Sequence, residues 1–115
     1  MAITLYGIKT CDSVKKAQTW LKQNNIPFEF IDFKQTPPTE VQIAQWCHSA
    51  GWEKLLNKQS KTFRELSPTE KTIADEAQAV ALMLAHPLLI KRPVLTAQHK
   101  ILIGFSELAY NALNN

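Results

Sequence analysis

The segment ITLYGIKTCDSVKKAQTWLKQNNIPFEFIDF, residues 3–33, reads as strand, helix and strand in quick succession. Ile3-Thr-Leu-Tyr6 alternates and is rich in strand formers, and Gly7 ends it. Asp12 or Ser13 can cap a helix that begins immediately afterwards, and Val14, Ala17 and Leu21 recur at helical spacing to give it one apolar face. Asn24-Asn25 and Pro27 stop that helix, and Phe28-Glu-Phe-Ile-Asp-Phe33 forms the second strand. Strand, helix and strand within about thirty residues predict a parallel βαβ unit.

Beyond this unit, Pro37-Pro38 marks a boundary, and Thr39 with Gln42 has the spacing of a capping box. The helix they open carries Val41, Ile43, Trp46 and Cys47, and Gly51 closes it. Trp52 and Leu55-Leu56 follow in a short amphipathic piece. Ser67-Pro68-Thr69-Glu70 starts another helix, and Ala77, Val80, Ala81 and Leu84 outline a further one that ends at His86-Pro87. This block, at about 38–86, has no strand signal and is expected to be a helical insert. Val94-Leu-Thr96 and Lys100-Ile-Leu-Ile103 then predict an antiparallel hairpin, and Ser106 caps a last helix with Leu108, Ala109 and Leu113 facing inward. The fold class is α/β, ordered βαβ, helical insert, ββα, with residues 1–115 forming a single domain.

The chain has 115 residues, 45% of them hydrophobic and 20% charged, and a net charge of +3. A chain of this size can bury a core without disulfide or metal staples. The charge is too small and too scattered for a nucleic-acid binder, and Lys15-Lys16 and Lys91-Arg92 are its only concentrations. No apolar run approaches a membrane span, and no signal peptide is visible, so a cytoplasmic protein without membrane or nucleic-acid partners is expected, as a monomer. Thiols in that compartment stay reduced, so Cys11 and Cys47 need not be bonded. His48, His86 and His99 have no ligand-like spacing with either cysteine, so neither a metal site nor a bound cofactor is expected.

Cys11 lies between a strand and a helix start, where unpaired backbone N–H groups and a partial positive charge favour thiolate over thiol. Lys9 and Lys15 are near in sequence and add to that field, while the Asp12 carboxylate opposes it. A free cysteine is most often a small core residue, but the polar run Lys-Thr-Cys-Asp-Ser argues against burial here. Cys47, beside Trp46 on an apolar helix face, reads as such a packed thiol. Arg92 binds an anion if it faces Cys11, since its forked donors suit an oxyanion or carboxylate. Pro93 is either an edge residue or a cis peptide, and the residues alone leave both open.

ITLYGIKTCDSVKKAQTWL, GWEKLLNKQSKTFREL, LAHPLLIKRPVL and ILIGFSELAY together resemble the arsenate reductase-like (ArsC/Spx) family of thioredoxin-fold proteins, and within it the YffB-like group. The resemblance covers essentially the whole chain. It implies a thioredoxin-like sheet with a helical insertion, Cys11 as the nucleophile, Arg92 as an anion-binding arginine and Pro93 as a cis-proline beside the cysteine. Two further arginine positions of glutaredoxin-coupled arsenate reductases fall on Asn57 and Gly104, and a histidine position falls on Gly7. A site without those cations binds a divalent oxyanion poorly. Val14 stands where Spx-type regulators that carry C-x-x-C have the second cysteine.

The expected activity is therefore a glutathione-dependent thiol–disulfide reductase. Glutathione is its co-substrate, and Arg92 with Lys9 or Lys15 holds a carboxylate of the glutathionyl group. Its partners are glutathione or another small thiol or disulfide, and a glutaredoxin. The rival readings are an Spx-like regulator that docks on RNA polymerase, and a weak arsenate reductase.

Overall fold

The computed structural model describes residues 2–114. Its helices and strands fall into two compact units, residues 1–36 with 92–115, and residues 37–91. The first unit holds a four-stranded sheet in the order β2-β1-β3-β4, made of β1 (Thr4–Gly7), β2 (Glu29–Asp32), β3 (Val94–Ala97) and β4 (Lys100–Ile103). β1 runs parallel to β2 and is connected to it by helix α1 (Asp12–Gln23). β3 pairs antiparallel with β1 on one side and with β4 on the other.

The register explains the core. Phe30 pairs with Leu5, Leu5 with Leu95, and Leu95 with Leu102, so one apolar row crosses all four strands on one face. Leu5 and Leu95 are completely buried and cluster with Ile3, Ala17, Trp20, Leu21, Tyr110 and Leu113. Each such leucine contributes roughly 1.5–3 kcal/mol by leaving water. The α1 face predicted from the sequence is the buried one: Val14, Ala17 and Leu21 are inaccessible, and Trp20 joins them. Asn24 closes the helix, and Asn25 adopts φ 57°, a left-handed conformation that asparagine tolerates well.

The last helix departs from expectation. Ser106 does cap it, its hydroxyl accepting from the Ala109 N–H, but α7 is a single turn (Glu107–Tyr110) that tightens into a 3-10 turn at Asn111–Asn114. That change of pitch turns Tyr110 and Leu113 inward, whereas Leu108 is 85% exposed and Ala109 also faces out. The Tyr110 ring sits edge-on to both Trp20 and Phe105, at 5.5 and 4.8 Å between centroids. Its hydroxyl is buried and has no hydrogen-bond partner among the described residues, and burial raises its pKa.

The second unit is helical: α2 (Glu40–Ala50), α3 (Trp52–Leu55), α4 (Lys61–Arg64), α5 (Pro68–Lys71) and α6 (Glu76–Ala85), then a 3-10 turn at Pro87–Leu89. Both capping boxes form, Thr39 with Gln42 and Ser67 with Glu70. Gly51 ends α2 at φ 94°, a conformation that favours glycine. Ile43, Trp46 and Cys47 make the buried face of α2, which leaves Val41 in the first turn 66% exposed. In α6 the buried positions are Ala79, Val80 and Met83, so Ala77, Ala81 and Leu84 of the expected face lie outside. The helix is apolar nearly all round, and its packing partner α2 selects the face. One antiparallel bridge, Leu56 to Ile90, ties the ends of the unit, with the Asn57 N–H donating to Leu89 and the Lys91 N–H to Leu55, both at 2.8 Å. Among the described residues no helix is long and apolar enough to cross a membrane.

Removing the unpartnered hydroxyl while keeping the ring should help the fold. Tyr110→Phe is expected to raise stability by about 1 kcal/mol in chemical denaturation, whereas Leu95→Ala should cost about 2–5 kcal/mol. A destabilised Tyr110→Phe would show that the hydroxyl has a partner after all.

Candidate functional site

Cys11 itself is the N-cap of α1 (φ −77°, ψ 129°), one residue ahead of the Asp12 or Ser13 expected in that role. A turn decides this. The Cys11 N–H donates to the Ile8 carbonyl at 3.0 Å, and the Cys11 carbonyl accepts from the Lys15 N–H at 3.0 Å as the first bond of the helix. Cys11 is thus the last residue outside the helix and the first to bond with it. Asp12 and Ser13 become the first two helical positions, so neither side chain can cap.

The cap position sets the chemistry of the sulfur, which is half-buried. Burial pushes the thiol pKa up. That effect is outweighed by the Val14 amide, a hydrogen bond from the Arg92 side chain, the Ser13 amide and the positive charge of Arg92, so Cys11 is held below the ordinary cysteine value. The amides of Ser13 and Val14 are the second and third N–H groups of the helix, which in most helices go to a capping oxygen. Here no side-chain oxygen takes them, and they act instead on the Cys11 sulfur, lowering its pKa.

Arg92 arrives through the sheet. The β1–β3 pairing ends at Tyr6 opposite Val94, so the chain leaving β1 toward Cys11 and the chain entering β3 through Arg92-Pro93 meet at the same end of the two strands. The Arg92-Pro93 peptide is cis, and Pro93 is fully buried. The Pro93 carbonyl accepts from the Gly104 N–H at 2.8 Å, which ties the entry of β3 to the exit of β4. Gly104 adopts φ 76°.

Cys11, Arg92 and Pro93 therefore gather at one end of the sheet, with Lys9 in the loop before Cys11 and Lys15 in the first turn of α1. Both lysines are exposed, and the cationic side chain that lowers the Cys11 pKa is that of Arg92. The Lys15 contribution is its backbone amide on the Cys11 carbonyl. The Asp12 carboxylate is likewise exposed. The residues missed by sequence reasoning are Ser13 and Val14, which act through backbone. Their signal was available, since any N-cap has its second and third helical amides in front of it. Cys47 is buried in α2, and burial, followed by the Glu76 charge, pushes its thiol up to about 11. No group of three or more histidine, cysteine or acidic residues suited to a metal ion is present among the described residues.

The ArsC family model matches residues 6–113. An uncharacterized protein of Haemophilus influenzae is 40% identical over 110 residues, 96% of each chain. The global transcriptional regulator Spx 2 of Lactococcus lactis is 31% identical over 108 residues, 91% of this chain and 80% of the regulator. A solved structure of a YffB protein superposes with a TM-score of 0.93 at 44% identity, covering 96% of each chain. The fold is thioredoxin-like, and a glutaredoxin of Archaeoglobus fulgidus shares it at a TM-score of 0.52 and 17% identity.

Two outcomes test the site. Arg92→Ala should raise the Cys11 titration midpoint by roughly one unit, followed as the pH dependence of alkylation, with Cys47 unlabelled until the chain is unfolded. Stability should also follow the ionisation. The folded Cys11 value lies below the unfolded one, so the stabilisation is fully present above about 8.5 and is lost as pH falls through the folded value. The stability of the wild type minus that of Cys11→Ser should therefore grow as pH rises toward that range, and a pH-independent difference would contradict the thiolate.

Proposed function

We propose that this chain, which belongs to the ArsC family, is a thiol–disulfide reductase that works through Cys11 alone and uses glutathione as its reductant. The observation that carries this reading is the half-buried sulfur facing two backbone amides and the Arg92 guanidinium, with the other thiol of the chain buried and protonated at neutral pH.

The chemistry proceeds in two exchanges. The Cys11 thiolate attacks one sulfur of a disulfide, a bond forms between the two sulfurs, and the other sulfur of the substrate leaves as a thiolate and takes up a proton. A glutathione thiolate then attacks the sulfur now bonded to Cys11, which regenerates the Cys11 thiolate. When the first adduct is glutathionyl, the product of this step is glutathione disulfide. For a glutathionylated substrate thiol the net result is a freed substrate thiol and glutathione disulfide; any other adduct leaves as a mixed disulfide with glutathione, which a second glutathione reduces, and no second protein cysteine takes part. Arg92 serves both halves: it stabilises the thiolate as nucleophile and as leaving group, and a guanidinium fork is of the type that suits a carboxylate of the bound thiol. Pro93 sets the entry of β3 beside this group.

Arsenate is a poorer fit. A single guanidinium acts on the sulfur, and the positions that carry further arginines in arsenate reductases are Asn57 and Gly104 here. Docking on RNA polymerase is the reading supported by the 31% identity to an Spx regulator. It differs in requiring no chemistry at residue 11.

Incubation with oxidised glutathione should give one glutathione adduct, mapped to Cys11 by mass spectrometry and discharged by reduced glutathione. The absence of an adduct, or its location on Cys47, would sink the reductase reading. Should Cys11→Ser keep the full cellular effect while RNA polymerase is recovered with the chain, the regulator reading would replace it.

A further inference from the structure

Gly7 is the last residue of β1, is buried, and carries no side chain at the point where α1 crosses over it. A β-carbon built at this position would lie 2.5 Å from Cγ2 of Val14, with Cγ1 at 3.5 Å and Cβ at 3.6 Å. Atoms do not approach that closely, so a side chain at residue 7 displaces Val14. Val14 cannot step aside by rotating. It is completely buried, and a β-branched residue in a helix has one strongly preferred rotamer. The displacement must pass into the backbone of the first turn of α1, where Val14 is the third helical residue.

That turn is also the one that serves the sulfur. Val14 packs its side chain on Gly7 and turns its amide toward Cys11, so a shift of one moves the other. We propose that Gly7 is a positioning residue: lacking a side chain, it lets Val14 seat directly on β1 and thereby fixes the Ser13 and Val14 amides in front of the Cys11 sulfur. The proposal rests on the reading of Cys11 as a thiolate nucleophile and adds to it what holds the donors in place. Gly7 does not touch the reacting atoms. It acts through Val14, which makes the two residues a coupled pair.

The test is a double-variant cycle of Gly7→Ala, Val14→Ala and both together, read as the pH profile of Cys11 alkylation alongside the melting temperature. Gly7→Ala should raise the alkylation midpoint by roughly one unit, which slows labelling below the midpoint about tenfold. The double variant should return the midpoint to within a few tenths of a unit of wild type, because the shorter side chain frees the space that the added methyl occupies. A merely structural role would lower the melting temperature without moving the midpoint, and an unmoved midpoint in folded Gly7→Ala overturns the proposal. Should Gly7→Ala fail to fold, the double variant decides: a wild-type midpoint supports the coupling and a raised one overturns it. A wild-type protein that titrates like free cysteine would instead defeat the thiolate reading itself, and the two failures are distinct.

Discussion

A helix leaves its first amides without carbonyl partners of their own, and in this chain a sulfur stands where a capping oxygen usually would. The Ser13 and Val14 N–H groups then do two things at once: they complete the start of α1 and they lower the pKa of Cys11. Neither would suffice against burial unaided. The Arg92 guanidinium adds a charge and a donor from the opposite side, and because the site is half-buried this pair is screened less than a surface ion pair.

The mixed sheet brings these parts together. A parallel β1–β2 pair needs a crossover, and α1 supplies it, so the start of the helix stands just beyond the end of β1. An antiparallel β3 beside β1 reverses direction, which brings its beginning to that same end. With β3 parallel instead, Arg92 would lie at the far end of the strand. The apolar row Phe30–Leu5–Leu95–Leu102 fixes the register, because a slip by one residue would turn Leu95 to the other face and move Arg92 one place along.

Much of this was legible in the residues. The βαβ opening, the hairpin, the Ser106 cap and both capping boxes follow from local rules and are present. Local rules failed where competition decided the outcome. Asp12 and Ser13 are better capping residues than cysteine, yet the turn from Ile8 to Cys11 placed the helix start ahead of them. Lys9 and Lys15 are closest in sequence to the sulfur, but the cation that reaches it comes from the far end of the chain, through a strand pairing that no local pattern encodes. The faces of α6 and α7 were misread for different reasons. One is apolar on all sides, and the other changes pitch after a single turn.

Gly104 sets a limit on what this scaffold can become. Its φ of 76° lies in the left-handed region, where any side chain costs energy, and its amide is committed to the Pro93 carbonyl. Placing an arginine there to build a richer oxyanion cradle is therefore a backbone problem before it is a side-chain one. The β4 exit would have to relax, and the contact that anchors the start of β3 would loosen with it. A side chain at this position would carry a backbone cost of about 1–2 kcal/mol before it touched any anion.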